Sequence, residues 1–199
     1  MSAIAPAPSA RRSELLELAY RYVLEHGVAD LSLRPLAAAI SSSPRVLLFL
    51  FGSKSELVRA LLARAREEEF DLLSRVRSTS EDSDLATVAS ELWGWLAADA
   101  HRALLTLWVE GYARSLTDPE GPWANFAQAT VDEWLDVLAR SQPESVRDSA
   151  PGQARRTLVL AVLRGALLDL LATGDLERTT NAINLQLTLI RGSAQPSAA

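Results

Sequence analysis

The stretch from Ser32 to Lys54, SLRPLAAAISSSPRVLLFLFGSK, constrains this chain more than any other. It contains two helix starts in close succession. Ser32 stands before an apolar-periodic segment with Pro35 in its first turn, and Ser43 is followed at once by Pro44. Serine is a good N-cap, and proline is tolerated in the first turn, where the backbone N–H has no helical partner to lose. Short helices are therefore predicted over Leu33–Ile40 and Pro44–Phe51. Gly52 stops the second, and Ser53 caps a long helix running from Lys54 to about Arg77. Helices this short need a scaffold. The preceding segment offers one, since Arg11–His26 places Leu15, Leu16, Ala19, Tyr20 and Val23 on a single helical face before a stop at Gly27.

The rest of the sequence also reads as helix. Ser78–Asp84 (STSEDSD) is a polar break with Asp84 as the next cap. Helices follow at about 85–99, 101–116, 120–140, 153–173 and 177–191, separated at Asp118-Pro119, Ser141–Gly152 and Gly174-Asp175. No alternating strand pattern competes, so the expected fold class is all-α. Apolar residues at 48% and charged residues at 23% suit a globular chain with a real core. There are no cysteines and only two histidines, His26 and His101. That excludes disulfides and thiolate chemistry and leaves little for a metal site or a histidine-based catalytic cluster. No cofactor is implied. Acid runs such as Glu67-Glu68-Glu69 read as a solvated helix face, and no nucleophile–base set or phosphate-binding glycine loop is present, so an enzyme is not expected. No apolar run is long enough to span a membrane. Residues 1–10, MSAIAPAPSA, read as a disordered tail rather than a signal peptide, and residues 192–199 as a flexible tail. The expectation is a cytoplasmic protein.

Two short helices joined by a tight link at Ile40–Ser43 form the plan of a helix-turn-helix, whose second helix enters the major groove of DNA with its N-terminus leading. The formal net charge of −5 argues against a polyanionic partner, but its distribution reverses that. Residues 1–60 carry seven basic against five acidic side chains, and the remainder 13 against 20. A basic head on an acidic body directs DNA to the head.

The same stretch resembles the N-terminal domain of TetR-family regulators. Ser32-Leu33-Arg34-Pro35-Leu36-Ala37 follows the family's capped helix with its arginine and aliphatic-alanine pair. Leu47-Leu48-Phe49-Leu50-Phe51-Gly52-Ser53-Lys54-Ser55-Glu56-Leu57 follows the end of its recognition helix and the Ser-Lys boundary. Three departures stand out, one being that the recognition helix exposes few polar groups. Ser41-Ser42 replaces the usual Gly-Val in the turn, at a position that favours positive φ. Leu48 replaces the usual tyrosine, removing a hydroxyl that would donate to phosphate. The resemblance implies DNA contacts from Ser32, Arg34, Ser43, Pro44, Arg45, Leu48, Phe49 and Lys54. Arg45 is the candidate base reader, because arginine pairs bidentately with guanine, and Lys54 the phosphate anchor. Ser32 and Ser43 are expected to serve first as helix caps. Leu47 and Phe51 are expected in the core, with Leu48, Phe49 and Leu50 on the outer surface.

The resemblance further implies a helix-turn-helix domain over 11–58 and a helical effector-binding and dimerisation domain over 59–191. All five tryptophans lie beyond residue 92. Trp93, Trp95, His101, Trp108, Tyr112, Trp123 and Trp134 are candidates to line an apolar effector pocket, with Asp99, Glu110 and Arg114 as possible polar contacts. Val162–Asp175 resembles the family's penultimate helix, which pairs with the last helix at a four-helix dimer interface. Val162, Gly165, Leu168, Asp169, Ala182, Leu185 and Leu189 are the candidate interface residues. The function expected is a ligand-responsive regulator, a homodimeric repressor on a palindromic operator, released by a small hydrophobic or aromatic effector. The alternative is a helical small-molecule-binding or protein-interaction module that has lost operator recognition.

Overall fold

A computed structural model describes residues 8–28, 30–79 and 84–192. The described residues form ten α-helices and one 3-10 turn: α1 (Pro8–His26), α2 (Leu33–Ala39), α3 (Pro44–Phe51), α4 (Lys54–Thr79), α5 (Leu85–Leu96), the turn Asp99–His101, α6 (Arg102–Thr117), α7 (Phe126–Arg140), α8 (Glu144–Arg147), α9 (Ala150–Thr173) and α10 (Leu176–Gly192). The all-α expectation holds. The first helix begins at Pro8, so residues 8–10 belong to it rather than to the tail expected there. Residues 1–7 and 193–199 of the two expected tails, and 80–83 of the polar break, lie outside the described residues.

Local chemistry explains most boundaries. Ser43, Ser53, Asp84 and Ser149 each accept a hydrogen bond from the backbone N–H three residues on, at 3.2, 3.1, 2.7 and 3.1 Å respectively. Gly52 closes α3 at φ +83°, a left-handed conformation that a side chain would resist. Two segments differ from expectation. Residues 120–125 form successive turns rather than helix, with Asn125 at φ +63° and α7 starting only at Phe126. Pro122 lacks the N–H that a helix through this segment would use in its ladder. The break at Ser141–Gly152 also contains α8, stitched down by Arg147, whose guanidinium donates to the carbonyls of Ala139 and Gln142 at 3.1 and 3.2 Å.

The chain divides into two compact units, one made of residues up to Glu69 together with Ala103–Ala127, the other of Phe70–Arg102 with the residues from Gln128 onward. In the first unit α1 packs on both α2 and α3, which pack on each other. Its core includes Leu15, Ala19, Val23, Leu36, Leu47, Leu57 and Leu61, all at most 1% exposed. Ion pairs also fasten α1 to α4. Arg64 lies 2.7 Å from Glu17 and 3.1 Å from Glu68, its guanidinium stacks 4.9 Å over the Tyr20 ring, and the Tyr20 hydroxyl donates to Glu68 at 3.2 Å. Burial, with Glu68 alongside, pushes the Tyr20 phenol up, so it stays a neutral donor at physiological pH.

The head expected over 11–58 thus shares its unit with the first part of α4 and with α6. Glu110 of α6 accepts a 2.9 Å hydrogen bond from the backbone N–H of Val28, just past the end of α1. Gly111 lets α6 approach closely, since a Cβ there would lie 3.2 Å from Phe126 and 3.4 Å from Leu62. In the second unit α10 packs on α9 and α5, and α5 on α9. Glu110→Ala should lower stability by about 1–3 kcal/mol, because it strands the part-buried Val28 N–H. Glu110→Gln, which keeps an acceptor, should lose less. Urea unfolding of the two variants measures the difference.

Candidate nucleic-acid interface and effector site

The link between α2 and α3 is a Schellman cap. Ser42 N–H bonds the Ala37 carbonyl at 2.8 Å and Ser41 N–H the Ala38 carbonyl at 3.3 Å, with Ser41 at φ +52°. This is the left-handed position usually given to glycine, as the sequence departure implied. The cap turns the chain within a few residues, so α3 begins directly after α2.

Ser43 and Ser32 behave differently, although both occupy N-cap positions. Ser43 caps α3 through its hydroxyl, as expected. Ser32 adopts the same extended backbone, but its side chain makes no capping hydrogen bond, which corrects the role expected for it. The reason lies in the helix it precedes. A cap hydroxyl takes its bond from the second or third helical N–H; the third is lost at Pro35, and Ser32 does not engage the second, that of Arg34.

The outer face of α3 is apolar. Leu47 and Phe51 are buried at 1% and 5% exposure, whereas Val46, Leu48 and Phe49 are 38%, 41% and 81% exposed; Leu50, expected on the outer surface, is instead half-buried. Arg45, Leu48 and Phe49 fall at i, i+3 and i+4 and so share one side of the helix. Arg34, Arg45 and Lys54 are exposed, as is Ser32, and Pro44 is half-buried at the start of α3. Residues 32–55 contain these three cations and no acid. Sequence reasoning did not find Arg12, whose guanidinium lies 4.8 Å over the Phe51 ring and braces the end of α3 against α1. No local signal marks this pairing.

The structure divides the aromatic candidates between the two units. Trp108, Tyr112 and Trp123 belong to the first, and Trp93, Trp95, His101 and Trp134 to the second. Trp108 and Tyr112 lie with ring centroids 5.2 Å apart, and Trp123 is buried. Trp95 stacks on His101 at 4.1 Å, and a 2.9 Å hydrogen bond joins His101 Nδ1 to the Trp95 carbonyl. Trp93 is buried and donates its indole N–H to Thr180 of α10 at 3.1 Å, while Trp134 is buried in the same unit. Asp99 and Arg114 are exposed, and Glu110 holds Val28. A small apolar cavity in the second unit is lined by Ala89, Val159, Val162, Leu163, Ile183, Gln186, Leu187 and Ile190. Its free volume is about 10 Å³, on the order of one water.

The interface candidates lie on α9 and α10. Leu168, Leu185 and Leu189 are 50%, 64% and 61% exposed, and Ala182 is exposed as well. Gly165 is exposed, with nothing within 4 Å of where its Cβ would stand, and Val162 is half-buried beside the cavity. Asp169 is already engaged within the chain, in a bidentate pair with Arg178 at 2.6 and 2.7 Å. The guanidinium holds the Asp169 carboxyl below the usual carboxylate range.

No family model matches the chain. It is 28% identical over 192 residues to the HTH-type transcriptional repressor AcnR of Corynebacterium diphtheriae, covering 95% of each protein. A TetR transcription regulator from Haloarcula marismortui superposes with a TM-score of 0.72 at 19% identity, over 89% of this chain and 95% of that one. The multidrug binding protein EbrR, solved with proflavin, gives 0.65 at 24% identity over 90% and 99%. No helix among the described residues is long and apolar enough to cross a membrane.

Ser41→Gly should raise stability by about 0.5–1 kcal/mol by relieving the left-handed strain at φ +52°. An unchanged or lower denaturation midpoint would contradict this account of the turn.

Proposed function

We propose that this chain, which has the fold of the TetR-family regulators, is a ligand-responsive transcriptional regulator that binds a palindromic operator as a homodimeric repressor and is released by a small hydrophobic effector. One observation carries the DNA reading. In a chain of net charge −5, the helix-turn-helix stretch 32–55 presents exposed Arg34, Arg45 and Lys54 with no acid among them. A duplex approaching this protein meets its favourable potential there.

The roles follow from position. Arg45, second residue of α3, reaches a base edge and pairs with guanine. Lys54, first residue of α4, neutralises a phosphate, and Ser32, with its hydroxyl excused from capping, donates to another. Dimerisation rests on the exposed stripes of α9 and α10, where Leu168, Leu185 and Leu189 cover a second copy and Gly165 admits a close helix approach. Two heads would then grip half-sites about one helical turn apart. The effector reading is supported by the aromatic wealth of residues 93–134 and by the proflavin complex of EbrR. The effector acts by preferring one arrangement of the heads over the other.

Binding to the intergenic DNA beside its own gene, titrated against salt, tests this function. Lys54→Ala should weaken binding alike on all sequences and lower the salt slope by about 1, whereas Arg45→Ala should cost about 1–3 kcal/mol of discrimination at one position. Affinity no greater than for random DNA, and indifferent to Arg45→Ala, would sink the proposal. Leu185→Glu combined with Leu189→Glu should halve the mass measured by light scattering while leaving the helical signal intact. A mass unchanged by both substitutions would place the dimer contact elsewhere.

A further inference from the structure

We infer that the head reads thymine by its methyl group, with Phe49 as the specificity-determining residue beside a guanine taken by Arg45. This rests on the DNA-binding function proposed above and names what that site recognises. On α3 the outward groups are Arg45, Val46, Leu48 and Phe49, and Phe49 is 81% exposed. Of these only Arg45 can make a hydrogen bond to a base through its side chain. An aromatic ring cannot read the donor and acceptor pattern of the groove. The single apolar group that pattern offers is the C5-methyl of thymine. Charge decides which occupant covers this face. The apolar side chains sit within a stretch of three cations and no acid, which attracts a polyanion and repels a second copy of itself.

The spacing gives the geometry of the site. Arg45 and Phe49 are four residues apart on one helical face, about 6 Å along the axis. That spans roughly two base-pair steps of about 3.4 Å. A half-site therefore holds a guanine with one or two thymines within two steps of it. Leu48 and Val46 flank Phe49 and exclude water around the methyl.

The experiment uses the full-length protein and a random-sequence duplex pool. Selected sites should share a guanine with a thymine within two steps of it in each half-site. Each such thymine is then replaced by deoxyuridine, which keeps every base-pair hydrogen bond and deletes the methyl alone. Affinity should fall about fourfold per contacted methyl. Phe49→Ala should lower affinity for the thymine site and erase the thymine-over-uracil preference, a coupling that a double-mutant cycle reads directly. Phe49 is exposed, so the variant should keep the parent's unfolding midpoint. Equal affinity for thymine and uracil at every position overturns the inference while leaving the DNA-binding function standing. So does a preference that survives Phe49→Ala. Failure to enrich any sequence overturns both. A change in oligomer mass on Phe49→Ala, with DNA selection unaltered, assigns this face to self-association and overturns the inference.

Discussion

The helix-turn-helix of this protein depends on being held by its neighbours. Helices α2 and α3 have 7 and 8 residues. Neither would form alone, because the unfavourable nucleation of a helix is not recovered over so few hydrogen bonds. Burial of Leu36, Leu47 and Phe51 against α1 and its surroundings supplies what the local sequence cannot. The scaffold must therefore be stiff where it meets them. Arg64, Glu17, Glu68 and Tyr20 tie α1 to α4, and Arg12 covers the ring of Phe51. Most of these groups are partly solvated, so each contributes modestly. Their role is to fix the register of helices whose core already favours contact.

That economy leaves the outer side of α3 free to vary. Two of its eight residues are committed to the core and one serine in front of it to capping. What remains exposed is one arginine among aliphatic and aromatic side chains. A surface of this kind has few hydrogen bonds to offer and much apolar area. Arg34 and Lys54 stand exposed at its margins.

The association of α6 with the head ties α6 to the end of α1. Glu110 accepts the first free N–H beyond α1, and the neighbouring Gly111 lies against Leu62 and Phe126. Trp108 and Tyr112 stand on the same helix. Displacing this helix would strain the bond to Val28, which lies just past the end of a helix that packs on both α2 and α3. Coupling of this kind needs no long relay, only a rigid element with a stake in both places.

Much of this protein was legible from sequence because much of it is local. Caps at Ser43, Ser53 and Asp84, stops at Gly27, Gly52 and Gly174, and helical periodicity placed most helices within a few residues, since each signal acts on the backbone beside it. The same locality fixed the left-handed turn at Ser41 and the split of α3 into buried and exposed sides. Tertiary structure decided what depends on residues far apart in the chain. Glu110 meets Val28 across 82 residues and Trp93 meets Thr180 across 87. No periodicity encodes such pairings, so the inclusion of α6 in the head's unit and the division of the aromatic residues between two units emerge only when the helices pack. Ser32 belongs to neither case. Pro35 removes one of the two N–H groups a cap there could use, and only the structure shows the other left unengaged by Ser32.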